Sequence, residues 1–293
     1  MLEFPEWLTI PLADWVDTIM DWILTNWAPA FDAVGNAILQ MLLGIERFLL
    51  WMPWFVVILL TGVFAWRATR KWWAGVIMAL FLVLIGSFRF SNEGYWDLAM
   101  ETLAIVIASV ILSLVIGIPT GILMSRSNRF ESIIRPQLDA MQTMPSFVYL
   151  IPALMLFGLG KVPAVFATVI YATPPVIRLT NVGIRQVSHS AIEAARAFGS
   201  NARQILFEVQ LPLAIPSIMV GINQTTMMAL AMVVIASMIG AGGLGLEVLR
   251  AINRIEIGRG FQAGLSIVIL AIIIDRITSA MTARQQREIT NQT

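Results

Sequence analysis

The chain has 293 residues, of which 58% are hydrophobic and 13% are charged. Soluble domains carry about 25% charged residues, so this composition excludes an ordinary soluble globule and predicts an all-α polytopic membrane protein. A net charge of +1 excludes a basic nucleic-acid-binding surface, and the absence of Cys with a single His excludes thiolate or clustered-histidine metal sites.

The first 47 residues form an acidic, tryptophan-rich segment. Seven carboxylates occur here with no Lys or Arg before Arg47: Glu3, Glu6, Asp14, Asp17, Asp21, Asp32 and Glu46. Four tryptophans, Trp7, Trp15, Trp22 and Trp27, are spaced as on an amphipathic helix. Because indoles prefer the membrane–water interface, we expect residues 1–47 to be external or interfacial.

Apolar stretches long enough to cross a hydrocarbon core follow. Seven spans are predicted, at about 48–66, 72–90, 96–124, 140–160, 162–180, 211–240 and 262–282. The first two (48–90) would be peripheral, residues 91–282 would form the core domain, and 283–293 a cytoplasmic tail. The fourth and fifth contain Pro145, Pro152, Pro163, Pro174 and Pro175, so both helices should be short, kinked or broken.

The orientation follows from the distribution of basic residues. With residues 1–47 outside, the inside connections and tail hold 13 of the 19 Lys and Arg residues. Positive residues favour the cytoplasmic side. The sequence therefore predicts an N-out, C-in topology with residues 181–210 in the cytoplasm of a multi-pass inner-membrane protein.

Residues 188–212 interrupt the apolar pattern with a charged, amphipathic segment. Ser190 and Glu193 have the spacing of a capping box, Gly199 suits a left-handed helix end, and Ser200 is placed to cap a second helix. Leu211–Pro212 would end that helix and begin the next span. The segment is thus predicted to be a helix–turn–helix hairpin, which either links two spans only or docks a partner.

The stretch "EAARAFGSNARQILFEVQLP" resembles the EAA loop of permease subunits of binding-protein-dependent ABC importers. Its defining positions are Glu193-Ala194-Ala195, Gly199 and Val209-Gln210-Leu211-Pro212. Segments such as "MQTMPSFVYLIPALMLFGLG" and "NQTTMMALAMVVIASMIGAGGLGLEVL" resemble the quaternary-ammonium branch, whose members import glycine betaine, proline betaine, choline or carnitine.

The resemblance implies a type I importer permease fold, in which the pathway alternates between the two sides of the membrane. It implies a second copy of the chain, two cytoplasmic ATPase subunits and an extracytoplasmic substrate-binding protein as partners. The hairpin would engage an ATPase through Glu193, Ala194, Ala195, Arg196, Gly199, Arg203, Leu211 and Pro212.

The chain has no G-x-x-x-x-G-K-[ST] sequence, so it lacks a P-loop. We therefore expect no cofactor and no catalytic residue on this chain, with ATP and Mg on the partner ATPase. Two alternatives are a stand-alone secondary transporter or channel, which proline-broken helices would suit, and a membrane enzyme, which the lack of a catalytic constellation disfavours.

Polar residues inside the predicted spans are candidates for lining the pathway, because they are costly in hydrocarbon unless paired or wet. The candidates on this ground are Gln142, Thr143, Asn223, Gln224 and Thr225, and Tyr149 is added because its ring face could attract a quaternary ammonium group. Hydrogen bonding between helices is the alternative for the polar side chains, and core packing is the alternative for Tyr149.

Four further features have open interpretations. Gly117-x-x-x-Gly121 suits close helix contact. The "GAGGLG" run at 240–245 is either a flexible turn or a hinge or docking surface, and 247–259 is either a docking face or a solvated loop. Glu101 and the pair Asp275–Arg276 could form ion pairs or reach the interface.

Overall fold

The computed structural model describes residues 10–90 and 93–290, with side chains at 10–89 and 94–281. Most of the chain is helical, and the only strands in the described part are two residues each, paired antiparallel: β1 (Arg89–Phe90) and β2 (Glu93–Gly94). The helices are α1 (Leu12–Trp51), α2 (Trp54–Thr69), α3 (Trp72–Ser87), α4 (Tyr95–Arg126), α5 (Asn128–Thr143), α6 (Leu150–Phe157), α7 (Lys161–Arg185), α8 (His189–Ala197), α9 (Ala202–Gln204), α10 (Leu211–Ala236), α11 (Gly243–Arg254) and α12 (Ile257–Thr290).

The described helices include five that are long and apolar enough to cross a membrane, or six if one bent pair counts as a span. The predicted spans at 48–66 and 72–90 correspond to α2 and α3, which have 16 residues each and are shorter than predicted. The polytopic all-α prediction is confirmed, while the count of seven spans stays a prediction, because α2 and α3 are apolar but slightly shorter than an untilted span.

The first helix extends beyond the end of the interfacial segment predicted for residues 1–47, since it continues to Trp51. It runs unbroken for 40 residues, about 60 Å at 1.5 Å per residue. Only its second half packs on the other helices, through buried Gly35, Ile38 and Leu42, while Trp15 and Trp22 are exposed. Residues 1–9, including Glu3, Glu6 and Trp7, lie outside the described residues. The interfacial location of this segment stays a prediction.

Helix α7 is the centre of the core, because glycines let α4 and α10 approach it closely. A Cβ on Gly121 would lie 2.7 Å from the carbonyl oxygen of Ile177, and one on Gly117 would lie 2.4 Å from a methyl of Val176. On the other side, a Cβ on Gly221 of α10 would lie 3.1 Å from the Cα of Val176. The Gly117-x-x-x-Gly121 face therefore makes the close helix contact that its spacing predicts.

The prolines act differently in the fourth and fifth predicted spans. At Met144–Pro145, helix α5 ends, and the segment Ser146–Phe157 that follows is bent from it by 113°. Pro145 forces this change because the residue before a proline is pushed out of the helical region. In contrast, α7 continues through Pro174 and Pro175 as one helix of 25 residues. Of the three outcomes predicted for the fifth span, a short or broken helix is therefore wrong and a kink stays a prediction; both prolines are buried among the neighbouring helices.

Residues 188–212 define one end of the bundle, called here the hairpin end, and the opposite end is the distal end. At the distal end, Lys161 Nζ lies 2.7 Å from Glu101 and 2.8 Å from Glu46, joining α7 to α4 and α1. Glu101 also accepts a hydrogen bond of 2.7 Å from the amide of Gly243. One part-buried carboxylate thus ties two helices to the loop before α11.

The "GAGGLG" run is packed against α4 at this end. Gly240, Gly242 and Gly243 have positive φ angles, and a Cβ on Gly242 would lie 2.4 Å from the carboxylate of Glu101. Only glycine combines this backbone conformation with so close an approach. The segment is therefore a fitted turn in this structure, in contrast to the flexible-turn interpretation.

Candidate functional site

The hairpin turns at Gly199, as the sequence predicts. Gly199 has φ +83°, and the amide of Ser200 donates a 3.0 Å hydrogen bond back to the carbonyl of Ala195. The amide of Phe198 bonds the carbonyl of Ala194 at 3.1 Å. A left-handed residue followed by such backward bonds closes the end of α8 and reverses the chain.

Both predicted caps are wrong. Helix α8 starts at His189, one residue before Ser190, and Glu193 pairs with His189 at 3.1 Å instead of closing a capping box. The second helix is capped by Asn201, not by Ser200. The amide of Ser200 is already used to close α8, which moves the start of the next helix forward by one residue.

Asn201 and Gln204 form the capping box of the hairpin. The Asn201 side-chain oxygen accepts hydrogen bonds from the amides of Arg203 and Gln204 at 3.0 and 2.9 Å. In return, the side-chain oxygen of Gln204 accepts a hydrogen bond from the Asn201 amide at 2.9 Å. Three amides are thereby satisfied, which fixes the direction in which the second helix leaves the turn.

No break occurs at Leu211–Pro212, contrary to the prediction. The helices from Ala202 to Ile239 form one rod of 38 residues, in which Ile205–Gln210 is a π-helical turn. A proline within a helix removes one backbone hydrogen bond, and a π turn is a common way of absorbing such a defect. The hairpin is therefore continuous with the span that follows it.

The base of the hairpin is anchored in the protein. Leu206 is buried and packs with Ile184, Ala214 and Ile218, and the neighbouring Ile205 is buried as well. A guanidinium nitrogen of Arg126, at the end of α4, donates to the carbonyl of Ala202 at 3.0 Å. Apolar packing and a charged hydrogen bond thus connect the base of the hairpin to α4, α7 and α10.

The tip of the hairpin is exposed. Phe198 is 91% exposed and lies beside Gly199, which has open space around its Cα. Arg203 stacks over the ring of Phe207 at 5.9 Å, and a surface cavity of about 260 Å³ runs along this side. Of the other predicted coupling residues, Glu193, Ala194, Arg196 and Pro212 are exposed, whereas Ala195 and Leu211 are half-buried. Large exposed apolar side chains on a rigid base are typical of an interaction surface.

An ion-pair network below the hairpin was not foreseen from the sequence. Arg185 lies 2.9 Å from Glu131 and also donates to the carbonyl of Met124 at 2.9 Å and to Asn128 at 2.8 Å. Arg178 pairs with Asp139 at 2.5 Å. These contacts join α5 to α7, the helix that leads into the hairpin. The only sign of these ion pairs in the sequence is the occurrence of charged residues in a mostly apolar chain.

The candidate pathway residues differ in their environments. Gln142, Thr143 and Gln224 are exposed, while Thr225 is buried and its hydroxyl has no hydrogen-bond partner among the described residues. Asn223 bonds Thr278 and Ser279 of α12. This contact between α10 and α12 is the hydrogen bonding between helices that the sequence leaves as the alternative to a lining role. A lining role for these residues stays a prediction.

Tyr149 belongs to the short helical turn Ser146–Tyr149 before α6. Its hydroxyl donates to the carbonyl of Met141 at 2.5 Å, and its ring lies 6.0 Å from that of Tyr171. It is buried in the main apolar cluster. This environment fits the core-packing alternative, because the hydroxyl is satisfied by the end of α5 across the 113° bend.

The outer segment 247–259 carries a buried ion pair. Glu247 is 1% exposed and lies 2.6 Å from Arg259 and 2.7 Å from Arg250. Arg259 is buried as well, so it belongs to the interior and not to a solvated loop. Glu101 pairs with Lys161, and Asp275 accepts a 3.2 Å hydrogen bond from Ser279.

Comparison with known proteins gives a consistent result. The profile of the family described as "Binding-protein-dependent transport system inner membrane component" matches residues 113–287. The glycine betaine/proline betaine transport system permease protein ProW of Escherichia coli is 50% identical over 272 residues, covering 93% of this chain and 75% of ProW. The chain belongs to this family of transport-system inner membrane components. The matched region includes the hairpin, α7, α10 and the part of α4 from residue 113 onward.

Two further relatives match this chain over nearly the full length of both proteins. The glycine betaine transport system permease protein OpuAB of Bacillus subtilis is 47% identical, covering 94% of this chain and 96% of OpuAB. The glycine betaine/carnitine transport permease protein GbuB of Listeria monocytogenes is 47% identical, covering 97% of this chain and 100% of GbuB. The chain is therefore similar to these permeases over nearly its whole length, and the similarity includes the region of α1 to α3.

The fold agrees with the family. A chain of the MetNI methionine ABC transporter, solved in an inward-facing conformation, superposes with a TM-score of 0.59 and 22% identity, covering 64% of this chain and 94% of that one. The prediction of an importer-type permease fold is confirmed, and the chain is a multi-pass component of the inner membrane.

Proposed function

We propose that this chain is the pathway-forming permease subunit of an ATP-driven importer of quaternary ammonium compatible solutes. Glycine betaine, proline betaine, choline and carnitine are the substrate class, since the relatives that match at 47–50% identity are named for transport of glycine betaine, proline betaine or carnitine. The observation that carries the proposal is the hairpin, whose exposed tip sits on a base anchored in α4, α7 and α10.

The partners follow from the same proposal. Two copies of the chain would form the pathway, two cytoplasmic ATPase subunits would each receive one hairpin, and a substrate-binding protein would deliver the solute from outside, with the N-terminus out and the C-terminus in. ATP and Mg would be bound by the ATPases. A stand-alone transporter does not need an exposed, capped hairpin, so this arrangement favours the importer.

Mechanically, the hairpin would transmit nucleotide-driven movement. Closure of the ATPase pair would draw the two hairpins together, and the helices continuous with them would tilt and open the pathway to the outside. Such coupling requires contacts that differ between two states. The capping box at Asn201 and the Arg126 bond at the base would supply the stiffness.

Copurification and uptake test the proposal. The chain, expressed from its own operon, should copurify with an ATPase subunit. In vesicles that hold the reconstituted complex, labelled glycine betaine should accumulate when ATP is supplied on the cytoplasmic side of the complex. Labelled choline and proline in parallel vesicles would rank the substrates. Betaine uptake by the isolated chain, without any ATPase, would instead support the stand-alone transporter.

Gly199→Val tests the coupling role. A β-branched residue in the left-handed conformation costs about 1–2 kcal/mol, which lowers the population of the native turn about 5- to 30-fold. We expect ATP hydrolysis to persist while uptake per ATP falls, because open space around Gly199 leaves the rest of the fold unaffected. Gly199→Asn, which tolerates this conformation, is the matched control. Equal uptake in the two variants would contradict the coupling role.

A further inference from the structure

A cavity of about 430 Å³ lies at the distal end, away from the hairpin and the core. It is formed where α2 and α4 begin and α3 ends, and it is lined by Trp54, Ile58, Leu82, Gly86, Arg89 and Trp96, among others. Its volume is in the range of about 300–1,000 Å³ that small-molecule sites occupy.

The lining combines apolar walls with unused hydrogen-bond donors. Ile58 and Leu82 supply aliphatic surface, whereas Arg89, Trp54 and Trp96 carry a guanidinium and two indole N–H groups. No described residue accepts a hydrogen bond from these three side chains or pairs with Arg89. No described carboxylate lines the cavity. The lining therefore suits a ligand with an anionic, acceptor-rich group and an apolar tail.

The position of the cavity narrows the class of ligand to molecules that can reach it from the membrane. Helices α2 and α3 have 16 residues each, about 24 Å, which is shorter than the ~30 Å hydrocarbon core. Short helices draw the head groups towards them. Trp54 is 60% and Val83 47% exposed on this side, so the cavity opens on a surface that faces the bilayer. An amphiphile reaching it would come from the membrane.

We propose that this cavity binds one phospholipid from the leaflet at the distal end. The phosphate would accept hydrogen bonds from Arg89 and the indoles of Trp54 and Trp96, and one acyl chain would lie against Ile58 and Leu82. The positive charge of Arg89 disfavours the quaternary ammonium group of a transported solute, which separates this site from the transport pathway. By holding the ends of α2, α3 and α4 together, the lipid would act as a structural ligand.

Native mass spectrometry of the purified complex, stripped of lipid and then supplied with defined probes, tests the site. The probes are dioleoylphosphatidylethanolamine, dioleoylglycerol with the same tails but no phosphate, and inorganic phosphate. We expect one phosphatidylethanolamine to be retained per chain, with dioleoylglycerol at least about 10-fold weaker, as loss of a charged hydrogen bond implies. Equal retention of dioleoylglycerol, or displacement of the lipid by inorganic phosphate, would overturn the proposal.

Two variants locate the site. Arg89→Gln should weaken retention of phosphatidylethanolamine about 10-fold and leave dioleoylglycerol unchanged. Gly86→Leu should block both, since a Cβ there already reaches 3.5 Å from the Trp96 ring and a longer side chain enters the cavity that Gly86 lines.

The matched control is Arg254→Gln, which removes an exposed guanidinium at the end of α11, outside the cavity. It should bind lipid like the wild type. If Arg254→Gln and Arg89→Gln lose lipid equally, the effect is one of general surface charge and the proposed site is wrong. Gly86→Ala, whose Cβ makes only an ordinary contact, serves as the control for the leucine variant.

Discussion

The contact between α4 and α7 gives a sharp test of the core, through Gly121→Ala. A Cβ at Gly121 would lie 2.7 Å from the carbonyl oxygen of Ile177 and 2.6 Å from the Cβ of Thr180. Both are backbone or near-backbone atoms, so no rotamer change relieves the overlap. The two helices must separate by several tenths of an ångström along their shared face, which loosens the packing on both sides.

The magnitude follows from two opposing terms. Overpacking of a close-packed core costs about 1–3 kcal/mol, while replacing Gly by Ala within a helix gains about 0.5–1 kcal/mol. The net expectation for Gly121→Ala is a loss of about 0–2.5 kcal/mol, centred near 1 kcal/mol. Gly117→Ala should lose less, because the atom it meets at 2.4 Å is a methyl of Val176, which can rotate.

Reversible unfolding in mixed detergent micelles, followed by Trp fluorescence, measures the difference. Gly264→Ala is the matched control: it lies in α12, where a Cβ meets nothing within 4 Å. It should be neutral or slightly stabilising. If Gly121→Ala is as stable as Gly264→Ala, the close approach of α4 and α7 in this structure is incorrect.

Two further substitutions test the hairpin and the distal end. Asn201→Ala removes both caps of the second helix and should destabilise the hairpin by about 1 kcal/mol, seen as faster amide exchange at 202–206, while Ser200→Ala should not. Lys161→Met leaves the part-buried carboxylates of Glu46 and Glu101 without a counter-charge, so its melting temperature should fall well below that of Lys161→Arg; equal values would show that the pairs contribute no stability.

The sequence predicted the parts of the fold that depend on local chemistry. Gly199 and the Gly117–Gly121 pair have one physical use each, a positive φ angle and a close helix contact, and both occur as expected. The second cap failed by a single residue, because the amide of Ser200 already closes α8, and the first lies two residues after Ser188, which precedes that helix. Local rules identify a turn but leave open which of two neighbouring polar residues caps it.

Ion pairs between helices lay beyond the reach of the sequence. Lys161 and Glu46 are 115 positions apart, and only the packing of α1 across α7 brings them together. The behaviour of proline also depends on context: Pro145 follows a helix end at a 113° bend, whereas Pro174 and Pro175 lie inside a continuous helix. The same residue type is decisive at one site and tolerated at another because burial differs.

The unbroken helix from Ala202 to Ile239 has a geometric consequence. Gly221 lies near its midpoint and packs closely on α7, with about 28 Å of rod towards the hairpin and about 27 Å towards Ile239, at 1.5 Å per residue. A rod that pivots at this contact has arms of nearly equal length. Any sideways pull on the turn at Gly199 would swing the other end of the rod, near Gly240, by a similar distance in the opposite direction. Closing the bundle at the hairpin end would then open it at the distal end.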